Sequence, residues 1–182
     1  QALHALMRAD IPASWHSTGG WLMGHTVGTG PKHPMARAAQ FRIAADERAS
    51  LRLAAGLVEA KIRNQRTILR RNWKGETAAR DSILERLLHL ARKTPATGNA
   101  QSLLGVEGEA AALYFGAFER MILAEKTSMH GFDFTARNRR PPTDPVNALL
   151  SFGYALAVRL FTEGLVTVGI DPYQGFYHRP KP

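Results

Sequence analysis

The spacing of apolar residues changes along the chain, and from Met35 onward it follows the period of an α-helix. Before that point, weak alternation over residues 11–17 and 21–27 predicts two short strands around a glycine-containing turn. The helical pattern predicts helices at roughly 1–9, 35–44, 47–72, 77–93, 102–124 and 145–164. The chain is therefore predicted to be mainly α-helical, with a small β element near its start.

Glycine and proline residues divide this pattern. The segment GTGPKHP is the best candidate for a domain boundary, so the expected organisation is a β-containing part at 1–27, a linker at 28–34 and a helical domain at 35–182. Asp144 as N-cap and Pro145 in the first helical position form a typical helix start. Because the chain opens inside a predicted helix and closes on HRPKP, which completes no element, we expect a fragment of a longer chain.

Two glutamates, Glu107 and Glu109, stand two positions apart in the helix predicted at 102–124. Each helical residue turns the side chain by about 100°, so the two glutamates point in nearly opposite directions. Glu109 is interpreted as a solvated surface charge. The face of Glu107 carries the apolar residues Leu104, Ala111, Tyr114, Phe118 and Met121. A carboxylate there needs a metal, a base or a proton, which leaves open a buried ion pair with an arginine or a functional site.

Composition and charge narrow the classes of function. The 182 residues include no cysteine, which excludes disulfides, zinc–thiolate sites and thiol nucleophiles. The net charge of +9 favours a polyanion such as nucleic acid as partner, although an ordinary basic protein is the alternative. The seven histidines form no His-x-x-x-His pair, and no nucleophile elbow or Walker-type loop is present. The longest apolar run, ALLSFGYALAV, is too short to span a bilayer, so no membrane partner is expected.

The helix predicted at 47–72 carries an arginine stripe. Arg63, Arg66 and Arg70 lie within about one-sixth of the helical circle, where three guanidinium groups suit a DNA phosphate backbone. No acidic residue occurs over residues 61–71, so we expect no local ion pair to neutralise the stripe. The alternative interpretation is a solvated charged face.

A second basic segment precedes the last helix. Its arginines would converge with free backbone amides at the helix N-terminus and form an anion site, or would simply make the loop soluble. These arginines are Arg137, Arg139 and Arg140. The helix that follows has a short polar stripe, interpreted either as its solvated side or as the wall of a polar cleft. The stripe consists of Asn147, Ser151 and Tyr154.

Four segments together resemble the Cas1 family of CRISPR-associated integrases. They are, in the family's order, KIRNQRTILRRN, LLGVEGEAAALYF, RNRRPPTDPVNALLSFGYAL and GIDPYQGFYHRP. The resemblance extends over most of the chain. It implies an N-terminal β domain, of which residues 1–27 would be the end, and a C-terminal catalytic helical domain of the CRISPR integrase type.

The resemblance also implies a divalent metal site. The family's motifs place its ligands on Glu107 in GVEG, on His178 in GFYH, and on an acidic residue that would lie beyond Pro182. Glu107 is also the glutamate that the helical pattern favours. A carboxylate oxygen and an imidazole nitrogen suit Mg²⁺ or Mn²⁺, which would polarise a phosphodiester. Glu107 and His178 are therefore the expected catalytic and metal-binding residues.

The implied activity is that of a DNA endonuclease and integrase, which inserts new spacers into a CRISPR array in the prokaryotic cytoplasm. The nucleophile would be the 3′-hydroxyl of an incoming DNA end, so no protein nucleophile is needed. The implied partners are double-stranded DNA, a second copy of the chain, a Cas2 protein that bridges dimers and, in some members, a Cas4 nuclease. Two alternatives stay open, a non-catalytic DNA-binding and assembly module and a mobile-element integrase with the same metal site.

Overall fold

The computed structural model describes residues 1–18, 22–29, 33–122, 132, 134–138 and 141–178. The helices of this described part are α1 (Ala2–Arg8), α2 (Pro34–Ala45), α3 (Glu47–Asn72), α4 (Thr77–Lys93), α5 (Ala100–Gly116) and α6 (Pro145–Thr167). The strands are β1 (Ala13–His16) and β2 (Leu22–Thr26), and short 3-10 turns occupy Thr94–Ala96 and Phe118–Met121. The prediction of a mainly helical chain with a small β element is confirmed.

The predicted bounds of α3 and α4 agree with the structure, whereas two helix ends differ. α5 stops at Gly116 because the backbone at Ala117 (φ −100°, ψ 0°) leaves the helical conformation and enters a 3-10 turn. α6 continues through Gly164, whose carbonyl accepts a hydrogen bond from the Val168 N–H at 3.2 Å. The helix ends instead before Gly169, which has a φ of +76° and terminates the helix as glycine commonly does.

The described chain forms two compact units. The first unit contains Gln1–Glu47 and Phe152–Pro182, and the second contains Arg48–Ser151. The division therefore falls within α6 and at the start of α3. It differs from the predicted organisation into residues 1–27, 28–34 and 35–182, which stays a prediction.

The second unit has a hydrophobic core built by α3, α4 and α5. From Val58 onward, the buried positions of α3 are four, three and four residues apart, which is the spacing of one helical face. They are Val58, Ile62, Gln65 and Leu69. The largest fully buried apolar side chains of the unit are Ile62, Leu69, Leu87, Leu90 and Leu103, so each of the three helices contributes to this core.

The first unit contains a β-hairpin and a polar contact. β1 and β2 pair antiparallel, with Ala13 opposite Thr26 and a register irregularity between Trp15 and His16. On α2, Gln40 is the one buried side chain among the unit's described residues. Its amide nitrogen donates to the carbonyls of Asp171 (2.8 Å) and Gln174 (3.0 Å), and its amide oxygen accepts from the Asp171 N–H (2.9 Å). This side chain therefore ties α2 to the loop that leads to residue 178.

A tight backbone approach follows the hairpin. A Cβ atom placed on Gly28 would lie 2.2 Å from the carbonyl oxygen of Met7 and 2.4 Å from Oδ1 of Asp10. No side chain fits at that position without displacement of the end of α1. Gly24, within β2, has no atom within 4 Å of the corresponding point.

By length and composition, α6 is long and apolar enough to cross a membrane, and it is the one such helix among the described residues. Its most apolar 18-residue window has a mean hydropathy of 1.4 and contains no buried residue. The expectation that this stretch is too short for a bilayer rested on residues 148–158. The helix that contains this run continues past Arg159 for about another two turns.

Candidate functional site

Glu107 lies at the edge of the buried face of α5. That face consists of Leu103, Val106, Ala110 and Tyr114, and the Glu107 side chain beside it keeps 18% of its surface exposed. The helical pattern placed the centre of the buried face too close to Glu107. Leu104, which it assigned to that face, is 40% exposed. The reason is that α5 is apolar nearly all round, so its partners α3 and α4, rather than its own pattern, decide which side is buried.

The Glu107 carboxylate is paired with a lysine from another helix. Nζ of Lys61, on α3, lies 2.6 Å from Oε1 of Glu107, and the lysine side chain is 48% exposed. An ion pair was one of the two open interpretations, although the partner is a lysine and not an arginine. The pair does not exclude a functional carboxylate, because a cation at this oxygen is also what a metal site would require.

Glu109 occupies the outer surface of α5, as predicted. Its side chain is 42% exposed and forms an ion pair with Arg86 of α4, which is 54% exposed. Glu107 and Glu109 are thus both paired to a neighbouring helix, but only Glu107 borders the core.

His178 is an exposed residue in the loop after α6, and its ring centroid lies 4.8 Å from that of Tyr177. It belongs to the first unit, whereas Glu107 belongs to the second. Within the described residues, no group of three or more His, Asp or Glu side chains could hold a metal ion. The donor types of Glu107 and His178 nevertheless suit Mg²⁺ or Mn²⁺.

The three arginines of the α3 stripe have different environments. Arg63 is half exposed and pairs with Glu59 one turn earlier, at 2.6 Å. The expectation that no local ion pair neutralises the stripe is therefore wrong, because it considered only residues 61–71. Nε of Arg66 donates to the carbonyl of Leu84 at 3.0 Å and so links α3 to α4, whereas Arg70 is exposed.

Arg137 points into the protein and holds the segment before α6. Its Nη1 donates to the side-chain oxygen of Asn147 at 2.7 Å and to the carbonyl of Asn138, and its Nη2 donates to the Ser151 hydroxyl at 3.3 Å. This guanidinium therefore acts as a structural contact of the described chain. Arg139 and Arg140, the other members of the predicted anion site, lie outside the described residues.

The predicted polar stripe on α6 is divided between two environments. Asn147 is fully buried and donates from its amide nitrogen to the carbonyl of Ala136 (2.9 Å), while its oxygen accepts from the Asn138 N–H (3.1 Å). Ser151 is half-buried against Arg137, and Tyr154 is 52% exposed. For Asn147, neither a solvated side nor a cleft wall describes the environment, because residues 134–138 cover it.

Asp144 caps α6 and completes this polar cluster. Its Oδ1 accepts from the Asn147 N–H at 2.7 Å, and its Oδ2 accepts from the side-chain amides of Asn147 (2.6 Å) and Asn138 (3.1 Å). The hydrogen bond from the Asn147 side chain is the main reason that the pKa of the Asp144 carboxyl lies below its usual value. The predicted N-cap is thereby confirmed.

Lys61 is the residue of interest that the sequence pattern missed. It stands 46 positions from Glu107 in the chain, so neither helical periodicity nor motif spacing relates the two. The segment KIRNQRTILRRN contains it, but the pattern directed attention to the arginines.

The model for the family described as CRISPR associated protein Cas1 matches residues 1–182. A Cas4 exonuclease/Cas1 endonuclease fusion from Rhodospirillum rubrum is 48% identical over 181 residues, which cover 100% of this chain and 31% of that protein. A chain in the Cas6-RT-Cas1–Cas2 complex is similar in structure, with a TM-score of 0.73 and 29% identity over 100% of this chain and 19% of that one. A casposase bound to its integration product also has a TM-score of 0.73, at 23% identity over 100% of this chain and 49% of that one, which shows a shared fold.

Proposed function

This chain belongs to the family of CRISPR associated protein Cas1, and from that membership we propose that it is part of a metal-dependent DNA endonuclease and integrase of CRISPR adaptation. The chain spans 31% of the length of the Rhodospirillum relative, so the activity is proposed for the whole protein and not for these residues alone. The observation that carries the proposal is the environment of Glu107, a carboxylate held at the edge of a core and paired with a cationic group.

Glu107 and His178 would contribute two ligands of a divalent metal ion, and a further acidic residue would complete the set. When bound, Mg²⁺ or Mn²⁺ would polarise a DNA phosphodiester and stabilise its in-line displacement by a DNA 3′-hydroxyl. The role of Glu107 is to supply an oxygen whose position is set by the packing of α5. The role of His178 is to supply an imidazole nitrogen from an exposed loop.

The basic residues would bind the DNA backbone. A net charge of +9 supports a polyanionic partner, and Arg70 is exposed on the same helix as Lys61. Arg63 and Arg66 are proposed as weaker contacts, since one pairs with Glu59 and the other with the carbonyl of Leu84. Arg137 would act indirectly, through its contacts with Asn138 and Asn147. Arg139 and Arg140 are proposed as further contacts to the DNA backbone.

The proposed partners are double-stranded DNA, a second copy of the chain, and a Cas2 protein. The structural relative in the Cas6-RT-Cas1–Cas2 complex supports the Cas2 partner, and the fusion named for Rhodospirillum rubrum supports a functional link to a Cas4 nuclease. A prokaryotic cytoplasmic location follows from this role.

The test is a DNA-joining assay with the protein as its gene encodes it, a short duplex, a repeat-bearing plasmid and Mn²⁺. We expect Glu107→Gln to reduce joining to background while its DNA affinity in Mn²⁺ stays near that of the unchanged protein. Glu109→Gln is the matched control. It removes the same charge from a residue two positions along the chain, where the carboxylate belongs to an exposed ion pair, and this variant should join DNA normally. Normal joining by Glu107→Gln would contradict the proposed catalytic site.

A non-catalytic DNA-binding module is the second candidate. The observation that favours it is that the described residues contain no complete metal-binding group. In that case DNA binding should fall steeply with salt, and Mn²⁺ should change neither binding nor the products of the assay. Metal-dependent joining would exclude this candidate.

A further inference from the structure

We propose that Lys61 is an exchangeable partner of Glu107, which holds the carboxylate before metal binds, gives it up to the divalent ion, and then binds DNA phosphate. This inference rests on the proposed metal site and adds to it a residue and an order of events. Its starting point is the 2.6 Å contact between Nζ of Lys61 and Oε1 of Glu107, an oxygen that a metal ligand would have to make available.

The two partners differ in how far they can move. Glu107 has a short side chain that is 18% exposed and lies beside the buried residues Val106 and Ala110. Lys61 has a flexible four-carbon chain that is 48% exposed, although its neighbour Ile62 is fully buried. When another cation competes, the ammonium group can turn into water, whereas the carboxylate stays at the core edge.

The environment of Glu107 explains why a partner is needed in the absence of metal. A carboxylate that is 18% exposed and has no counter-charge is costly, so the ammonium group compensates its charge and orients it. The pair between Arg86 and Glu109 has no such role, because both of its side chains are about half exposed and well solvated. Exchange is therefore expected at Glu107 and not at Glu109.

The released ammonium group would lie on the same helix as Arg63 and Arg70. Its flexible stem and three donors suit a phosphate oxygen, and a DNA strand drawn to the metal would bring phosphates near it. One additional phosphate contact should thus form only when metal has replaced the lysine at Glu107.

The first test measures Mn²⁺ affinity by titration calorimetry, without DNA, for the protein as its gene encodes it. Lys61→Met removes the competing ammonium group and should bind Mn²⁺ more tightly, by up to about fivefold, the range expected for an ion pair with a partly exposed partner. Lys93→Met is the matched control, since it removes an exposed lysine at the end of α4 in the same unit and should leave the affinity unchanged.

The second test measures DNA affinity against salt concentration, with and without Mn²⁺. In Mn²⁺, Lys61→Met should reduce the slope of log K against log salt by about 0.9, the value for one phosphate contact, and without Mn²⁺ it should change nothing. Glu107→Gln should show the complementary effect, because its lysine is free to reach DNA without metal. Its slope without Mn²⁺ should be steeper than that of the unchanged protein by about 0.9.

The outcomes separate this inference from the proposed function. If the unchanged protein binds Mn²⁺ through Glu107 but Lys61→Met binds no more tightly than Lys93→Met, the exchange is wrong and the metal site stands. If Lys61→Met alters the salt slope equally with and without Mn²⁺, Lys61 is a permanent DNA contact and the exchange is again wrong. If no Mn²⁺ binding depends on Glu107, the proposed metal site fails and the exchange fails with it.

Discussion

The two compact units of the chain bury their apolar side chains to very different extents. Every buried hydrophobic residue among the described residues belongs to the second unit, Arg48–Ser151. In the first unit, large apolar side chains such as Phe152, Leu160 and Phe161 are 62%, 69% and 73% exposed. Glu107 is therefore positioned by a packed core, whereas His178 belongs to a unit whose one buried described side chain is the amide of Gln40.

The same difference exists along α6. Its first turn buries Val146 and Asn147, while the residues that follow Ser151 are exposed or partly exposed. Two parts of one continuous helix thus differ, because protein fully covers side chains only in the first part. The loss of unfolding free energy caused by a substitution should therefore depend on how far the side chain is buried and not on how hydrophobic the residue is.

The largest expected effect is in the core. Leu87→Ala, at a fully buried position of α4, should lower the free energy of unfolding by about 2–5 kcal/mol. Leu160→Ala makes the same chemical change on the exposed part of α6 and should change it by less than about 0.5 kcal/mol. Urea denaturation of the two variants measures both values. Equal losses would contradict the difference between the units.

The second effect compares one buried amide from each unit. Asn147→Ala removes the side-chain oxygen that accepts from Arg137 and the side-chain nitrogen that donates to the carbonyl of Ala136. It should lower the free energy of unfolding by about 2–4 kcal/mol. Gln40→Ala removes the hydrogen bonds to Asp171 and Gln174 and should lower the free energy of unfolding by about 1–2 kcal/mol.

The two substitutions should also differ in where they act. Hydrogen exchange at the Asp171 N–H should accelerate in Gln40→Ala, which loses the acceptor of that group, and should change much less in Asn147→Ala. Faster exchange at this amide in both variants would show that the two units do not respond separately.

The smallest expected effect concerns the dependence of the unfolding free energy on pH in acid. The pKa of Asp144 is lower in the folded chain than its usual value of 3.8, chiefly because the Asn147 side chain donates to the ionised carboxylate. The stabilisation is therefore complete above that usual value, declines as the pH falls towards the folded-state pKa, and is lost below it. Asp144→Asn should lack this decline when unfolding free energies are compared between pH 6 and pH 2. Parallel curves for the two proteins would contradict the assignment.

Much of the fold could be predicted because local signals agree with it. α3 and α4 have clear periodic faces, and Asp144 and Pro145 form a start signal that needs no tertiary partner. The end of α5 was not predicted, since the run from Ala110 to Phe118 is broken only by Gly116, a glycine that takes no positive φ here. The prediction that Gly164 ends the last helix was wrong because the backbone there stays helical, whereas Gly169 takes the positive φ that commonly ends a helix.

For the candidate site, only the orientation of side chains on a single helix could be predicted from the helical pattern, and the metal ligands stay a prediction from the family motifs. The pattern distinguished Glu107 from Glu109, and the family motifs selected Glu107 and His178. The contact with Lys61 joins two helices and requires knowledge of their packing. The inward direction of Arg137 likewise depends on Asn147, ten residues later, whose polar side chain was interpreted from the helix face alone.

The contrast between Gly28 and Gly24 has a consequence for sequence change over time. At Gly28 even a methyl group would collide with the end of α1, so substitutions there should be eliminated in any library selected for folded protein. At Gly24 the equivalent space is open, and the same library should accumulate variants. Of these two glycines, four positions apart, Gly28 should therefore remain invariant in related sequences, whereas Gly24 should vary.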